Sequence, residues 1–388
     1  MTTVRKTMWV VLLAALVAGG FVGRTRAQVG GQQGVLNPQP IFRSPEDVSK
    51  TGVPVGQIKA GERPDFVSLR NPPVVLQVLG KVYFIGGAGA NIAMHVSDEG
   101  VLLVDSGAEA AADRVIAITK QYGTRPLRWI VNTSADLDNT GGNEPVARSI
   151  IPPAPPGGAP AAAAGGGGGG AGAFQGAGAG IIAHENVLNR MSAPTGQQAA
   201  RPTNAWPTDT FFPVRKTFWY GGEPIEFLHQ PAAHTDGDVM VWFRKSDVVV
   251  AGNLLSYDRY PYFDAAKGGT IQGVLNALNK LVDIAVPEYN QQGGTRIIPG
   301  YGRILNETDV VDYRDMATIT RDRINAMVKK GMTLEQVKAA KPTLDYDGLY
   351  GHTTGAWTTD MYLNAVYAET SKAWQAEQAK AAPPPRRR

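Results

Sequence analysis

The stretch "NTSADLDNTGGN" (residues 132–143) follows directly on the apolar segment "LRWIV" (residues 127–131). The apolar segment predicts a buried strand, and the Thr140-Gly141-Gly142-Asn143 run predicts a tight turn at the far end of the loop. Between them stand side chains that carry oxygen, among them Ser134, Asp136 and Asp138. The order of strand, polar loop and glycine turn decides the fold, and the side chains inside the loop bear on the function.

The composition is that of a globular protein. The chain has 388 residues, of which 43% are hydrophobic and 19% are charged, so it can bury a sizeable core. It contains no cysteine, which excludes disulfides and any thiolate metal site.

The first 27 residues carry the features of a secretory signal peptide. Arg5 and Lys6 precede an apolar run from Thr7 to Gly23, and the segment ends in the small residue Ala27. The run is shorter than the ~20 residues that span a bilayer, which favours a cleaved signal over an anchor. We therefore expect an exported protein, periplasmic or extracellular, with an N-terminal membrane anchor as the alternative.

Removal of this segment also changes the charge of the chain. Its four basic residues, subtracted from 38, leave 34 lysines and arginines, which equals the 34 acidic residues. A formally neutral mature chain gives no support for nucleic-acid binding, so no nucleic-acid partner is expected.

The rest of the chain divides by composition. Residues 28–70 are rich in Gly, Pro and Gln and predict a flexible lead-in. Residues 71–345 predict the folded domain, interrupted by a Gly/Ala/Pro-rich insertion at 151–180 that is too poor in large apolar side chains to pack. Residues 346–388 predict a C-terminal helix and a Pro/Arg tail.

Within the folded domain, two blocks of short apolar strands are each followed by helical patterns. The first block includes "VVLQVLGKVYFIGG" (74–87) and "VLLVDSG" (101–107), and the second includes "DVMVWFR" (238–244) and "DVVVAGN" (247–253). Residues 270–285 predict an apolar-periodic helix, and further helices follow at 309–330, 334–341 and 357–378. The pattern predicts an α/β fold in which two packed sheets carry helices on their outer faces.

Six motifs in order resemble those of the metallo-β-lactamase superfamily over roughly residues 75–340. They are "GVLLVDSG" (100–107), "VNTSADLDNTGGN" (131–143), "IIAHENVLNRM" (181–191), "PAAHTDGDVMVWF" (231–243), "VVVAGNLLSYDRYPYFD" (248–264) and "RIIPGYG" (296–302). The resemblance implies a four-layer αββα sandwich with a structural Asp at position 105. It also implies a pocket that holds one or two zinc ions and hydrolyses small molecules.

The family's seven zinc-binding side chains match seven positions here, and most of these hold other residues. Only Asp138 and His234 keep the residue type of the family. The matched positions are Ser134, Asp136, Asp138, Asn139, His234, Asn253 and Tyr301. One imidazole among oxygen donors is a poor zinc set and suits a hard cation better.

Two functions remain open from the sequence, and it does not decide whether the chain is an enzyme. The first is a catalytically impaired or inactive hydrolase homologue that keeps its pocket for a small molecule. The second is a metal-dependent hydrolase of ester, lactone, lactam or thioester bonds with an altered site, in which Asp136, Asp138 and His234 bind the metal and Asp138 is the catalytic carboxylate. The expected cofactor is none or a weakly bound divalent metal, and the oligomeric state is not indicated.

Other residues allow weaker predictions. Ser134, His234 and Asp136 or Asp138 could also form a metal-free Ser-His-Asp arrangement. The remaining histidines are expected to pack or hydrogen-bond rather than bind a ligand. These are His95, His184, His229 and His352. The aromatic loop "YDRYPYFDAAKGG" (257–269) resembles a segment that borders the family's pocket, and core packing and substrate contact are both open for it.

Overall fold

The computed structural model describes residues 73–150, 178–194, 199–288 and 293–381. The first sheet has seven strands in chain order. From the first strand to the fourth, neighbouring strands are antiparallel. From the fourth strand to the seventh, neighbouring strands are parallel. They are β1 (Val74–Leu79), β2 (Val82–Gly86), β3 (Ile92–Ser97), β4 (Gly100–Val104), β5 (Leu127–Val131), β6 (Gly180–His184) and β7 (Asp209–Phe211).

The second sheet has five strands, which lie side by side in the order in which they occur in the chain. Its last two strands pair parallel and the other pairs are antiparallel. They are β8 (Arg215–Tyr220), β9 (Glu223–His229), β10 (Val239–Phe243), β11 (Val248–Ser256) and β12 (Arg296–Tyr301).

Helices cover the outer faces of both sheets. Those described are α1 (Ala112–Tyr122), α2 (Leu137–Thr140), α3 (Asn143–Arg148), α4 (Glu185–Ser192), α5 (Ile271–Ile284), α6 (Glu307–Lys329), α7 (Leu334–Ala339), α8 (Leu344–Tyr350) and α9 (Thr359–Ala381). Two of them start at a capping box, in which the side chains of Asn306 for α6 and Thr333 for α7 accept a backbone N–H of the first turn.

Three apolar layers hold the sandwich together. Alternation along β4 sends Leu102 into the layer between the two sheets and Leu103 into the layer between the first sheet and α1. The third layer packs the second sheet against α5, α6 and α9, where Leu278, Tyr313 and Tyr362 are fully buried. The predicted αββα architecture is confirmed.

Some predicted boundaries need correction. The division between residues 345 and 346 falls inside α8, and α9 buries Leu363 and Val366 in the same layer as α5. The C-terminal helix therefore belongs to the main core. The insertion predicted at 151–180 ends earlier, because Gly180 already pairs with Trp129 as the first residue of β6.

Several predictions fall on residues outside the described ranges. These are the signal peptide at 1–27, the lead-in at 28–70, residues 151–177 of the insertion and the Pro/Arg tail after residue 381. Along the described ranges, none of the helices is both long enough and apolar enough to cross a membrane.

Candidate functional site

Four of the seven matched positions, Asp136, Asn139, His234 and Asn253, contact one another at one edge of the sandwich. Asn132 follows β5, His234 lies between β9 and β10, Asn253 lies within β11, and Tyr301 ends β12. Asn91, in the loop between β2 and β3, joins the two sheets here because its side chain donates to the carbonyls of Pro299 (2.9 Å) and Gly302 (3.0 Å). The carboxyl ends of parallel strands are a common place for ligand sites.

Asp105 holds the start of the polar loop. It directly follows β4 and is fully buried at a φ of 66°, a left-handed conformation that is rare outside glycine. Its carboxylate accepts hydrogen bonds from the backbone N–H of Thr133 (2.8 Å), the Thr133 hydroxyl (2.6 Å) and the Asn139 amide (2.8 Å). Burial raises the pKa of Asp105 to about 7, against the lowering effect of these donors.

A reciprocal amide pair closes the two ends of the loop. The Asn143 amide donates to the Asn132 carbonyl oxygen at 2.8 Å, and the Asn132 amide donates back to Asn143 at 3.1 Å. Both residues are fully buried, and Ser106 adds a hydroxyl donor to Asn143 at 2.8 Å. The path of the loop is thus fixed by residues at its ends.

Two glycines allow the loops of the two sheets to approach each other. Gly252 has a φ of 59°, and a Cβ there would lie 2.5 Å from the Thr133 hydroxyl. A Cβ at Gly300 would lie 2.6 Å from Asn253 Oδ1 and 2.8 Å from the backbone of Gly252. Larger residues at these positions would push the two loops apart.

The two asparagines at matched positions bond to one another. The Asn253 amide donates to Asn139 Oδ1 at 2.7 Å and lies 3.3 Å from Asp136 Oδ2. The Asn139 amide in turn donates a hydrogen bond to the Asp105 carboxylate at 2.8 Å. A row of side-chain hydrogen bonds therefore runs from Asp105 to Asp136 through two neutral amides.

Asp136 pairs with a lysine that the sequence analysis did not single out. Lys267 Nζ lies 2.9 Å from Asp136 Oδ1 and 3.3 Å from Asp264. Burial alone would raise the pKa of Asp136, but the positive charges of His234 and Lys267 outweigh burial and lower it. Burial likewise opposes the charge on Lys267, and the two carboxylates nonetheless raise its pKa. Both partners are therefore charged at neutral pH.

His234 is fully buried beside this pair. Its Nδ1 lies 3.4 Å from Asp238 Oδ1, and its Nε2 lies 3.3 Å from Asp136 Oδ2. The Nε2 contact has an ion-pair distance but lacks hydrogen-bond geometry. Burial would lower the pKa of His234, and the hydrogen bond and charge of Asp238, followed by the charges of Asp136 and Asp138, raise it instead.

The other matched positions have separate surroundings. Burial, followed by the charge of Asp136, raises the pKa of Asp138 to about 6. The Ser134 hydroxyl accepts the backbone N–H of Asp136 at 3.2 Å, which is a local turn contact. The guanidinium of Arg259 lies 4.8 Å from the centre of the Tyr301 ring, within cation–π distance.

The aromatic loop borders the site, as the resemblance implies. The Tyr262 ring lies 4.8 Å from His234 and 4.7 Å from Trp357, centre to centre. Tyr260 points the other way, since it is buried and donates to the Thr343 carbonyl at 3.0 Å. The loop therefore contributes both to the core and to one wall of the site.

The donor set does not fit the zinc centre that this fold implies. It offers one imidazole and two carboxylates, and Lys267 already holds one of those carboxylates. Across the ranges described, no three His, Asp or Glu side chains stand close enough together to bind a metal ion. The structure brings Asp136 and His234 together, and the assignment of Asp136, Asp138 and His234 as metal ligands stays a prediction.

Comparison with known proteins now identifies the family. The family model described as the metallo-β-lactamase superfamily matches residues 85–288, which is more than half of the chain. This chain belongs to the metallo-β-lactamase superfamily. None of the curated proteins matches it.

Two solved structures with a TM-score above 0.5 share the fold. A double mutant of the sec-alkylsulfatase PisA1 has a TM-score of 0.56 at 15% identity, and the match covers 81% of this chain and 52% of that one. The inverting sec-alkylsulfatase Pisa1 from Pseudomonas sp. has a TM-score of 0.53 at 16% identity, with the same two coverages. A metallo-β-lactamase from Pontibacter korlensis has a TM-score of 0.46 at 15% identity, covering 63% of this chain and 99% of that one. The chain matches about half the length of the alkylsulfatase.

The histidines outside the matched positions make the packing and hydrogen-bond contacts expected of them. His95 bonds to Glu223 at 2.9 Å in the buried layer between the sheets. His184 stacks on His229 with ring centres 3.7 Å apart, and His352 bonds to the Asp258 carbonyl at 2.9 Å. The position of Lys267 is the main feature that the sequence analysis missed.

Proposed function

We propose that this chain is a catalytically impaired or inactive hydrolase homologue that keeps the family's pocket and binds a small molecule there. The proposal is carried by the ion pair between Lys267 and Asp136, 2.9 Å long. At the matched position the family uses a side chain to bind zinc, and here the side chain binds an ammonium group instead. Neutral amides and a phenol at other matched positions cannot supply the missing charge.

The chemical consequence concerns water. A zinc ion lowers the pKa of bound water from about 15.7 to about 7 and so creates a hydroxide nucleophile at neutral pH. No residue of this site lowers the pKa of water in this way. The Lys267 ammonium carries a positive charge, but unlike a metal ion it cannot coordinate a water molecule. The Ser134 hydroxyl accepts the backbone N–H of Asp136, and this local contact does not activate it as a nucleophile, which needs an adjacent general base. A bound small molecule would meet Tyr262 and the partly exposed side chains of Asp136, Asp138 and Lys267.

The direct test is metal content measured together with turnover. Protein purified without chelators or a metal-affinity tag should contain less than one tightly bound zinc per chain by elemental analysis. It should not turn over ester, lactone, lactam, thioester or secondary alkyl sulfate substrates above a metal-free blank. Stoichiometric zinc that survives gel filtration, with turnover abolished by a chelator, would refute the proposal.

One observation favours a second candidate, a metal-dependent hydrolase with an altered site. His234 Nε2 is buried without a hydrogen bond, and Asp238 lies against the other ring nitrogen. A carboxylate beside one nitrogen is the usual way in which proteins orient a metal-binding histidine. In this candidate Asp136, Asp138 and His234 hold a divalent metal and Asp138 is the catalytic carboxylate, and the same experiment decides between the two.

We further propose that the protein acts outside the cytoplasm, on the strength of the basic, apolar and small-residue order of residues 1–27. The mass of protein recovered from its native host should place the N-terminus near Gln28. Recovery of an intact Met1 in the membrane fraction would favour the anchor instead.

A further inference from the structure

The loop that carries Lys267 is built to hold it against the site. Lys267 ends a short 3-10 turn, Ala265–Lys267, and Asp264 caps this turn by accepting the backbone N–H groups of Ala266 (3.0 Å) and Lys267 (3.3 Å). The Lys267 carbonyl accepts from Arg190 at 2.9 Å and from the Asp236 backbone N–H at 3.0 Å. Both the backbone N–H and the backbone carbonyl of Lys267 are therefore held by hydrogen bonds.

The same loop is packed against the segment that carries His234. The Asp264 backbone N–H donates to the His234 carbonyl at 2.8 Å. A Cβ at Gly269 would lie 2.1 Å from that same carbonyl, so only glycine allows this approach. Because the loop is tied to His234 and Lys267 is tied to Asp136, the ammonium is part of the site, and both side chains of the ion pair are largely buried.

Two matched positions near Asp136 each carry a buried polar atom without a hydrogen bond. His234 Nε2 and Asn253 Oδ1 make no hydrogen bond, although both residues are almost fully buried. Native proteins leave few such atoms unsatisfied, and each one calls for an explanation. His234 Nε2 lies 3.3 Å from Asp136 Oδ2, and an imidazole nitrogen and a carboxylate oxygen are donors that first-row divalent cations accept.

We infer that Lys267 is the resident cation of this site, and that its ammonium competes with divalent metal ions for the Asp136 carboxylate. Asp136 and His234 then form a latent metal site that becomes available when Lys267 is removed. The inference rests on the proposed function, because it treats the metal-poor state as the native one. The inference adds that Lys267 is the residue that keeps the site poor in metal.

Calorimetry on metal-stripped protein tests the inference, with MnCl₂ and ZnCl₂ as probes. Lys267→Met keeps the apolar length of the side chain and removes its charge. We expect this variant to bind either metal at least ~10-fold more tightly than the wild type, on the scale by which neighbours of metal ligands change affinity. Lys280→Met, an exposed change on α5, is the matched control and should bind as the wild type does.

Two further variants check that the metal binds through Asp136 and that the result does not depend on the folding of a single variant. Adding Asp136→Asn to Lys267→Met should abolish the gain in affinity, because the metal then loses its carboxylate ligand. Lys267→Gln serves if Lys267→Met does not fold, since removing one partner of a buried pair leaves an uncompensated charge. A second readout is the melting temperature, which metal should raise in the Lys267 variants and leave unchanged in the wild type.

The outcomes separate the inference from the proposed function. If both Lys267 variants fold and bind metal no more tightly than the wild type, the inference is overturned. The proposed function is judged on the wild type alone, by its zinc content and turnover, whereas the inference depends on the ratio of affinities between variant and wild type.

Discussion

Two groups of residues at the same edge of the sandwich differ in how completely their buried polar atoms are hydrogen-bonded. The first group, the loop anchors, fixes the backbone of the loops and comprises Asp105, Asn132, Asn143, Gly252 and Gly300. Its polar members are buried in complete hydrogen-bond sets. The second group, the matched positions, faces inward from those loops and includes buried atoms without partners at His234 and Asn253.

The difference teaches that the path of the loops and the chemistry of the site are held by separate residues. The anchors hold the loops mainly through one another and through Thr133, and Asn139 is the one matched position that also bonds to an anchor, Asp105. The matched positions instead satisfy one another, through two amides and one lysine. A change in an anchor should therefore affect stability more than a change at a matched position.

The largest effect is expected for Asp105→Ala. It leaves the buried donors of Thr133 and Asn139 without an acceptor, and each such loss costs about 1–3 kcal/mol. We expect the free energy of unfolding in urea to fall by about 3–5 kcal/mol. The control is Asp98→Ala, an exposed change in the turn between β3 and β4, which should change stability little. Equal losses in the two variants would contradict the anchoring role.

Gly300→Ala should have the next largest effect. Its Cβ would meet Asn253 Oδ1 at 2.6 Å and the backbone of Gly252 at 2.8 Å, and overpacking of this kind costs about 1–3 kcal/mol. Gly348→Ala is the matched control, because it lies within α8 where a Cβ meets no atom within 4 Å. Urea unfolding should show a loss for the first variant and a small gain for the second.

A smaller effect is expected at the matched position Ser134. Ser134→Ala removes one hydroxyl that accepts the Asp136 backbone N–H, so the free energy of unfolding should fall by about 1 kcal/mol. If the chain has any hydrolytic activity, the variant should retain it. Loss of activity without loss of stability would revive the Ser-His-Asp arrangement that the sequence left open.

The smallest effect concerns pH and the stacked pair of His184 and His229. Burial, followed by the charge of His229, lowers the pKa of His184 below its ordinary value, although Glu185, Asp236 and the Phe212 carbonyl act in the opposite direction. The unfolded chain then binds the proton first, so stability is lost as pH falls below about 6.5. The wild type should lose under about 1 kcal/mol more than His184→Gln between pH 7.5 and pH 5.5.

Chemical unfolding at the two pH values measures this difference. Asn189→Gln, an exposed change on the same helix α4, should keep the pH dependence of the wild type. An unchanged pH dependence in His184→Gln would show that the stacked pair does not resist protonation.

Most of the fold could be predicted because its signals are local. Residues 270–285 carry the 3.6-residue apolar period of α5, which spans Ile271–Ile284. The β5 strand spans the predicted apolar segment, Leu127–Val131. The structure brings Asp136, His234 and Asn253 together, although Asn253 lies within β11 rather than at the end of a strand.

The ion pair in the site could not be predicted, because it joins residues 131 positions apart. A lysine between Ala266 and Gly268 gives no local sign that its ammonium reaches Asp136. The one available signal was that its loop resembles a segment bordering the family's pocket. The 3.7 Å stacking of His184 on His229 was beyond prediction for the same reason, since it depends on how β6 and β9 face each other.

The reciprocal amide pair of Asn132 and Asn143 has a consequence for how this protein could change over evolutionary time. Because the two ends of the loop bond to each other and Asp105 holds Thr133 and Asn139, the loop residues outside these contacts can be exchanged as a cassette while the rest of the sandwich is unaltered. Such a cassette lets a lineage lose one chemistry and acquire another without passing through an unfolded intermediate sequence.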